Sequence, residues 1–180
     1  MAGLISSGVD VLKLGVITTP GVAYLTKNLD VQAGIMISAS HNPVQDNGIK
    51  IFSHNGYKLS DAQEEEIEAL LDVMDELPRP VGGEIGRVED YHLGAKEYVK
   101  HLETTISNQL TGLKVVLDCA NGASSALAPQ LFKDLGAEVI SIYHQPDGIN
   151  INESCGSTHP EMLAQEVIKH EAHLGFAFDG

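Results

Sequence analysis

Tryptophan is absent from this 180-residue chain and aromatic residues make up only 5% of it, so its core has to be built mainly from aliphatic side chains. Cysteine is scarce. Cys119 and Cys155 are two in number and far apart in sequence, which argues against a disulfide framework or a metal knuckle and suits structural thiols in a reducing compartment. Positive charge is also short: 11 Lys and Arg stand against 25 Asp and Glu, for a formal net charge of −14. Sequence-independent binding to nucleic acid draws on clustered Lys and Arg, so no nucleic-acid partner is expected. No apolar run is long enough to span a bilayer, and no basic segment precedes a short apolar one, so neither a membrane nor export is expected and a cytoplasmic setting fits. What is present is 43% hydrophobic residues and a mean hydropathy of −0.02, the profile of a soluble globular chain with room for one large or two small domains.

The pattern alternates helix and strand signals, as an α/β fold does. In ITTPGVAYLTKNL, Thr18 or Thr19 is a candidate N-cap before Pro20, and the helix feeds the apolar strand AGIMIS, expected to be buried. IKIFS and YKLS flank the Asn55-Gly56 turn signal. Ser60 to Gln63 forms a capping box, followed by Ile67, Leu70, Leu71 and Met74 at helical spacing, with Glu64, Glu65 and Glu66 on a solvated face. Leu77 to Val88 is rich in Pro and Gly and reads as a connection, and DYHLGAKEYVKHLETTI reads as a helix into a second unit. GLKVVLDCANG then predicts a strand buried on both faces. A helix through Leu127, Leu131 and Leu135, closed by Gly136, and a strand from Val139 to Tyr143 complete a βαβ unit. Thr158 to Glu161 reads as another capping box, and LGFAFDG as a last strand. The expected division is a first domain over 1–91 and a second over 92–180. Both ends read as cut, with a sheet that lacks its opening strand and a final strand that stops where a functional loop would begin.

The chemistry concentrates in GIMISASHNPVQDNGIK, where an apolar strand empties into Ser40, His41, Asn42 and Pro43, and Asp46-Asn47-Gly48 turns Lys50 back toward the strand's end. Ligands in α/β folds bind at such C-terminal strand ends. As a hydrolase nucleophile with His41 as base, Ser40 is weakly supported: neighbours on an extended chain point in opposite directions, and no G-x-S-x-G elbow occurs. As a turn, Ser40, Asn42, Asp46 and Asn47 need only bond to the backbone. As a phosphoryl carrier, Ser40 would hold a group of charge about −2, kept by N–H groups, Lys50 and a divalent cation. The other histidines lack H-x-x-x-H or H-E-x-x-H spacing, so no histidine metal site is expected. Thr18 and Thr19 could approach a phosphate, although capping explains them, and Asn121 and Gly122 are candidates for a cleft between the domains.

The segment GIMISASHNPVQDNGIKIF resembles the active-serine loop of the α-D-phosphohexomutases, and the resemblance continues through GVITTPGVAYL, GYKLS, VVLDCANGA, PDGININESCGSTHPE and LGFAFDG. Within that superfamily the tract NIN…CGSTHPE most resembles the phosphoglucosamine mutases, with phosphomannomutases and phosphoglucomutases as the alternative. A non-catalytic interaction domain is the reading from another class. The resemblance implies three-layer α/β domains with mostly parallel mixed sheets. It also implies a phosphosugar substrate, interconversion of 6-phospho and 1-phospho sugars through a bisphosphorylated intermediate, and a full-length form that could be a homodimer.

Carried onto this chain, the resemblance makes Ser40 the phosphoryl carrier and Lys50 a proton shuttle, with His41 beside the nucleophile as a second catalytic candidate. Beside a phosphate a lysine's charged form is favoured, which makes it a better acid or charge clamp than a base; an imidazole is the easier acceptor. Mg2+ is implied as cofactor, held by the serine phosphate and by three aspartates of an Asp-Gly-Asp-x-Asp-Arg loop. Of that loop the chain contains Asp179 and ends at Gly180. Ser40 and Asp179 are therefore the metal candidates, and one carboxylate with a monoester is a poor cage for an octahedral cation, so weak metal binding and no mutase activity are expected of these residues alone.

Overall fold

A computed structural model describes residues 1–180 apart from the side chains of residues 74–76. Met74, the last residue of the apolar period expected after Ser60, lies outside the described side chains. The chain opens with α1 (Ala2–Ser6), β1 (Val11–Lys13), α2 (Thr19–Asn28), β2 (Ala33–Ile37), β3 (Ile49–Ser53) and α3 (Asp61–Ala69). It continues with β4 (Val88–Asp90), α4 (Gly94–Thr104), β5 (Lys114–Asp118), α5 (Ala128–Asp134), β6 (Glu138–Ile142), α6 (Glu161–Lys169) and β7 (Leu174–Ala177). These strands form a parallel pair β1–β4, an antiparallel pair β2–β3 and a parallel three-stranded sheet in the order β6-β5-β7. Among the described residues no helix is long and apolar enough to cross a membrane.

Local chemistry accounts for many of the boundaries. Thr18 is the N-cap of α2 by its extended backbone and Pro20 sits in the first turn, although no hydroxyl cap bond forms. Ser60 and Gln63 make the reciprocal capping box of α3, satisfying two N–H groups that helix geometry leaves without partners. At α6 the expectation fails. The helix begins at Glu161 after Pro160, with no side-chain cap, because Thr158 stands too far upstream of the first turn to reach its amides. The stretch read as connection before residue 88 runs directly into β4, whose Val88, Glu89 and Asp90 pair with Val11, Leu12 and Lys13. Three residues are too few to display a period, so only their partner strand reveals them.

β5 is buried as expected, with Val115, Val116, Leu117 and Asp118 at most 1% exposed, because β6 and β7 flank it on both sides. β2 is not. Its ladder partner is β3 alone, and its outward Ile37 and the opposite Ile49 remain 68% and 70% exposed. The inward side meets α2, where Gly34 lies so close to Thr26 that a Cβ could not be accommodated. Ile17, Val22, Leu25, Phe52 and Tyr98 form the first core cluster, which Leu127 of the following unit also joins. α4 packs on α2 through Tyr98, Val99 and Leu102, so the apolar side of this helix belongs to that first cluster. The second cluster gathers Val115, Leu117, Cys119, Ala128 and Ala137. Both cysteines are buried and free. Burial, with a smaller push from Asp118, raises their thiols to about 11, which keeps them protonated and unreactive at neutral pH.

Candidate active site

After Ile37 the chain leaves the β2–β3 ladder for ten residues and returns at Gly48, whose carbonyl accepts from the Ser38 N–H at 2.9 Å. A Cβ on Gly48 would approach the Ser38 carbonyl oxygen at 2.7 Å, so this neck demands glycine. Inside the loop main-chain bonds close the turns, in place of the expected side-chain ones: Asn42 N–H to Ala39 O at 3.2 Å and Asp46 N–H to Pro43 O at 3.0 Å. The Asn42 amide also donates to the Asp46 carboxylate at 3.0 Å. Turn building therefore occupies Asn42 and Asp46 and leaves the Ser40 hydroxyl for another partner.

That partner comes from the far end of the chain. Asp179 follows β7, which is parallel to β5, and the ladder is prolonged by Phe178 N–H to Asp118 O at 2.9 Å. The Ser40 hydroxyl donates to Asp179 Oδ2 at 2.6 Å. His41 Nδ1 lies 3.4 Å from Asp179 Oδ1, with both side chains more than half exposed, a pairing that solvent largely screens. The expectation that Ser40 and His41 point apart is thus corrected. Ser40 has a φ of 57°, in the left-handed region, so the chain is not extended there and the alternation rule does not apply. Both side chains reach one carboxylate.

Lys50 is opposite Met36 in the β2–β3 register, and both line the cleft between the two units. The cavity there measures about 340 Å³ and includes Ser40, Lys50, Asp179, Thr18 and Thr19, with Tyr98 and Phe178 among its apolar walls. A larger, open depression of about 490 Å³ lies at the end of β6 around Tyr143 and His144 and contains none of the four predicted residues. Asn121 belongs to that depression, and its side chain is engaged with the main chain of Gln145 and Asn150, the bonding of a strand-end turn. Gly122 does approach the cleft's floor, packed so closely on Gly180 that a side chain would collide with it.

The donor set does not fit the implied magnesium. Asp179 and Ser40 supply oxygen, and among the described residues no group of three or more His, Cys, Asp or Glu stands together. An octahedral ion with so few protein oxygens would rest almost wholly on water, so these residues do not make a cage.

Two residues escaped sequence reasoning. Asp118 is fully buried, and its carboxylate accepts from the N–H groups of Ala120 at 2.9 Å and Gly156 at 2.8 Å. Asn152 donates its amide to the carbonyls of Ser40 and Asn42, both at 3.0 Å. An asparagine-rich tract, DGININE, was the available signal, but nothing in it named the partners.

Known proteins resemble the chain in both sequence and fold. Residues 1–77 match the model described as phosphoglucomutase/phosphomannomutase, alpha/beta/alpha domain I, and residues 96–180 match alpha/beta/alpha domain II of the same family. Curated phosphoglucosamine mutases of Bacillus cereus (strain G9842) and Bacillus anthracis (strain CDC 684 / NRRL 3495) are each 58% identical to the whole chain. The chain spans 40% of the length of those relatives. The crystal structure of a phosphoglucomutase/phosphomannomutase family protein from Burkholderia thailandensis superposes with a TM-score of 0.81 at 31% identity, covering 99% of this chain and 40% of that one. Two domain matches in sequence order, close relatives along the full 180 residues and a shared three-dimensional arrangement lead to one conclusion: the chain belongs to the phosphoglucomutase/phosphomannomutase family.

Proposed function

We propose that this chain is the serine-bearing portion of a phosphoglucosamine mutase, an isomerase that interconverts glucosamine 6-phosphate and glucosamine 1-phosphate. The observation that carries the reading is the 2.6 Å hydrogen bond between the Ser40 hydroxyl and Asp179, formed across the two units at the ends of their strands. The 58% identity to curated phosphoglucosamine mutases favours the glucosamine substrate over the mannose and glucose alternatives.

In the proposed reaction Ser40 enters as a phosphoserine. A sugar hydroxyl attacks the phosphorus in line; the bond from phosphorus to Ser40 Oγ breaks as the bond to the sugar oxygen forms, giving a bisphosphorylated sugar and a free serine. The sugar hydroxyl's proton needs an acceptor, and the leaving serine oxygen needs a donor. His41 and Lys50, one beside the nucleophile and one on the facing strand, are the candidates for these proton transfers. Return of the other phosphoryl group to Ser40 completes the exchange. In the dephosphorylated state Asp179 holds the serine rotamer, whereas a phosphate there would face a carboxylate and require positive charge, which Lys50 supplies in part. Magnesium in the complete protein would add positive charge, and these 180 residues alone should hold it only weakly.

We place the domain division near residue 92, and a cytoplasmic setting and a homodimeric full-length protein belong to the same proposal. Intact-mass measurement of the complete protein after exposure to a bisphosphorylated hexose tests the carrier role: one phosphate on the peptide containing Ser40 supports it. A complete protein never phosphorylated there, or one whose Ser40→Ala variant turns over undiminished, refutes it and leaves the interaction-domain reading. Comparing turnover of glucosamine, mannose and glucose phosphates by the complete protein decides the sugar.

A further inference from the structure

The loops that follow the strands are held in conformations that side chains rarely choose. Among the described residues, six of the eight non-glycine residues with positive φ, namely Ser40, Ala120, Asn121, Tyr143, Asn152 and Ser154, lie in loops that follow β2, β5 and β6. A left-handed residue that is neither glycine nor asparagine is strained and persists only where its surroundings over-determine it. For Ser40 the restraint is visible. Its carbonyl and that of Asn42 converge on one amide nitrogen, Asn152 Nδ2, at 3.0 Å each. Gly180 packs against this bond, since a Cβ there would sit 2.6 Å from the amide nitrogen.

Asn152 is in turn anchored to the buried interior. Its N–H donates to Ala120 O at 2.9 Å, and the Ala120 N–H donates to Asp118 Oδ1 at 2.9 Å. The second oxygen of that fully buried carboxylate takes the N–H of Gly156 at 2.8 Å. A continuous path of hydrogen bonds therefore runs from the interior of the three-stranded sheet to the main chain of the serine loop, crossing from one unit to the other at a single side chain.

We propose that Asn152 is a positioning residue, whose amide fixes the left-handed main chain of Ser40 and so aims the serine oxygen at the cleft. The inference rests on reading Ser40 as the phosphoryl carrier, but its first test does not. Asn152→Ala removes the donor, and Asn152→Asp keeps the shape and the tolerance of positive φ while replacing the donor by an acceptor-only carboxylate.

Hydrogen exchange of this chain, read over residues 38–46 and over β5 as control, separates a local from a global effect. Both variants should lose protection in the loop by about tenfold or more, as two hydrogen bonds to its carbonyls go, with β5 unchanged. Unchanged loop protection or an equal loss in β5 would each overturn the proposal. In the complete protein the same substitutions should lower kcat about tenfold or more with KM little changed. An unchanged kcat would also overturn it, whereas an unphosphorylated Ser40 in the wild type would defeat the functional reading and leave the exchange result to decide the role of Asn152.

Discussion

The two units of the chain solve the same problem unequally. The sheet β6-β5-β7 encloses its central strand completely, and Leu117 is wholly shielded from solvent. The first unit divides four strands into two pairs, and Ile37 and Ile49 stand opposite each other largely in water. Ser40 belongs to the open unit and the groups that bond to its loop from Asp179 and Asn152 belong to the closed one. A strained loop can be kept in a sparsely populated conformation if rigid elements elsewhere supply the bonds, and here they come from the buried end of β5 and the tract after β6. The difference teaches that the second unit acts as the frame on which the serine loop is aligned.

Four measurements sharpen or break this contrast. Leu117→Ala should cost about 2–5 kcal/mol by leaving a cavity in a fully packed strand, read as a fall in urea midpoint. A cost below about 1 kcal/mol would mean that β5 is not the rigid element described. Asp118→Ala should follow at roughly 1–3 kcal/mol, because the N–H groups of Ala120 and Gly156 lose their buried acceptor. Its loop protection at 38–46 should fall with its stability, and a loop left untouched would disconnect the two units.

The third measurement is alkaline. Both thiols belong to the second unit and are raised from 9.0 to about 11, so above pH 9 the native state retains protons that the unfolded chain has released. Their contribution to stability is whole below about pH 9 and is lost as pH rises through about 11. Thiol-reactive reagents at pH 8 should accordingly modify Cys119 and Cys155 only after denaturation, and modification of the native chain would contradict the enclosed frame. The smallest effect belongs to the open face: Ile37→Ser should change stability by no more than about 0.5 kcal/mol, since that side chain is already 68% exposed.

Much of the site could be read before any coordinates. Ser40, His41 and Lys50 stand within one loop-and-strand segment whose polar residues interrupt an apolar run, so local sequence marks them. Asp179 was reached only through family likeness, because a lone aspartate after a strand has no local signature. Asp118 and Asn152 were missed for a related reason. A buried carboxylate looks like any strand-end aspartate until both amides it accepts from are placed, and one of these is 38 residues away. Strand β4 was hidden by its shortness, and the α6 cap was misjudged because the helix starts after Pro160 rather than at Thr158.

By itself the sequence determined what short-range physics controls: the capping box at Ser60, the hydrophobic run of β5 and the alternation of helix and strand. Only the tertiary structure decided which strands were enclosed, that Ser40 adopts a left-handed backbone, and that its hydroxyl meets a carboxylate 139 residues away. The reason is one of range: caps and periodicity are written within a turn or two of chain, whereas a hydrogen bond between distant loops depends on every packed layer between them.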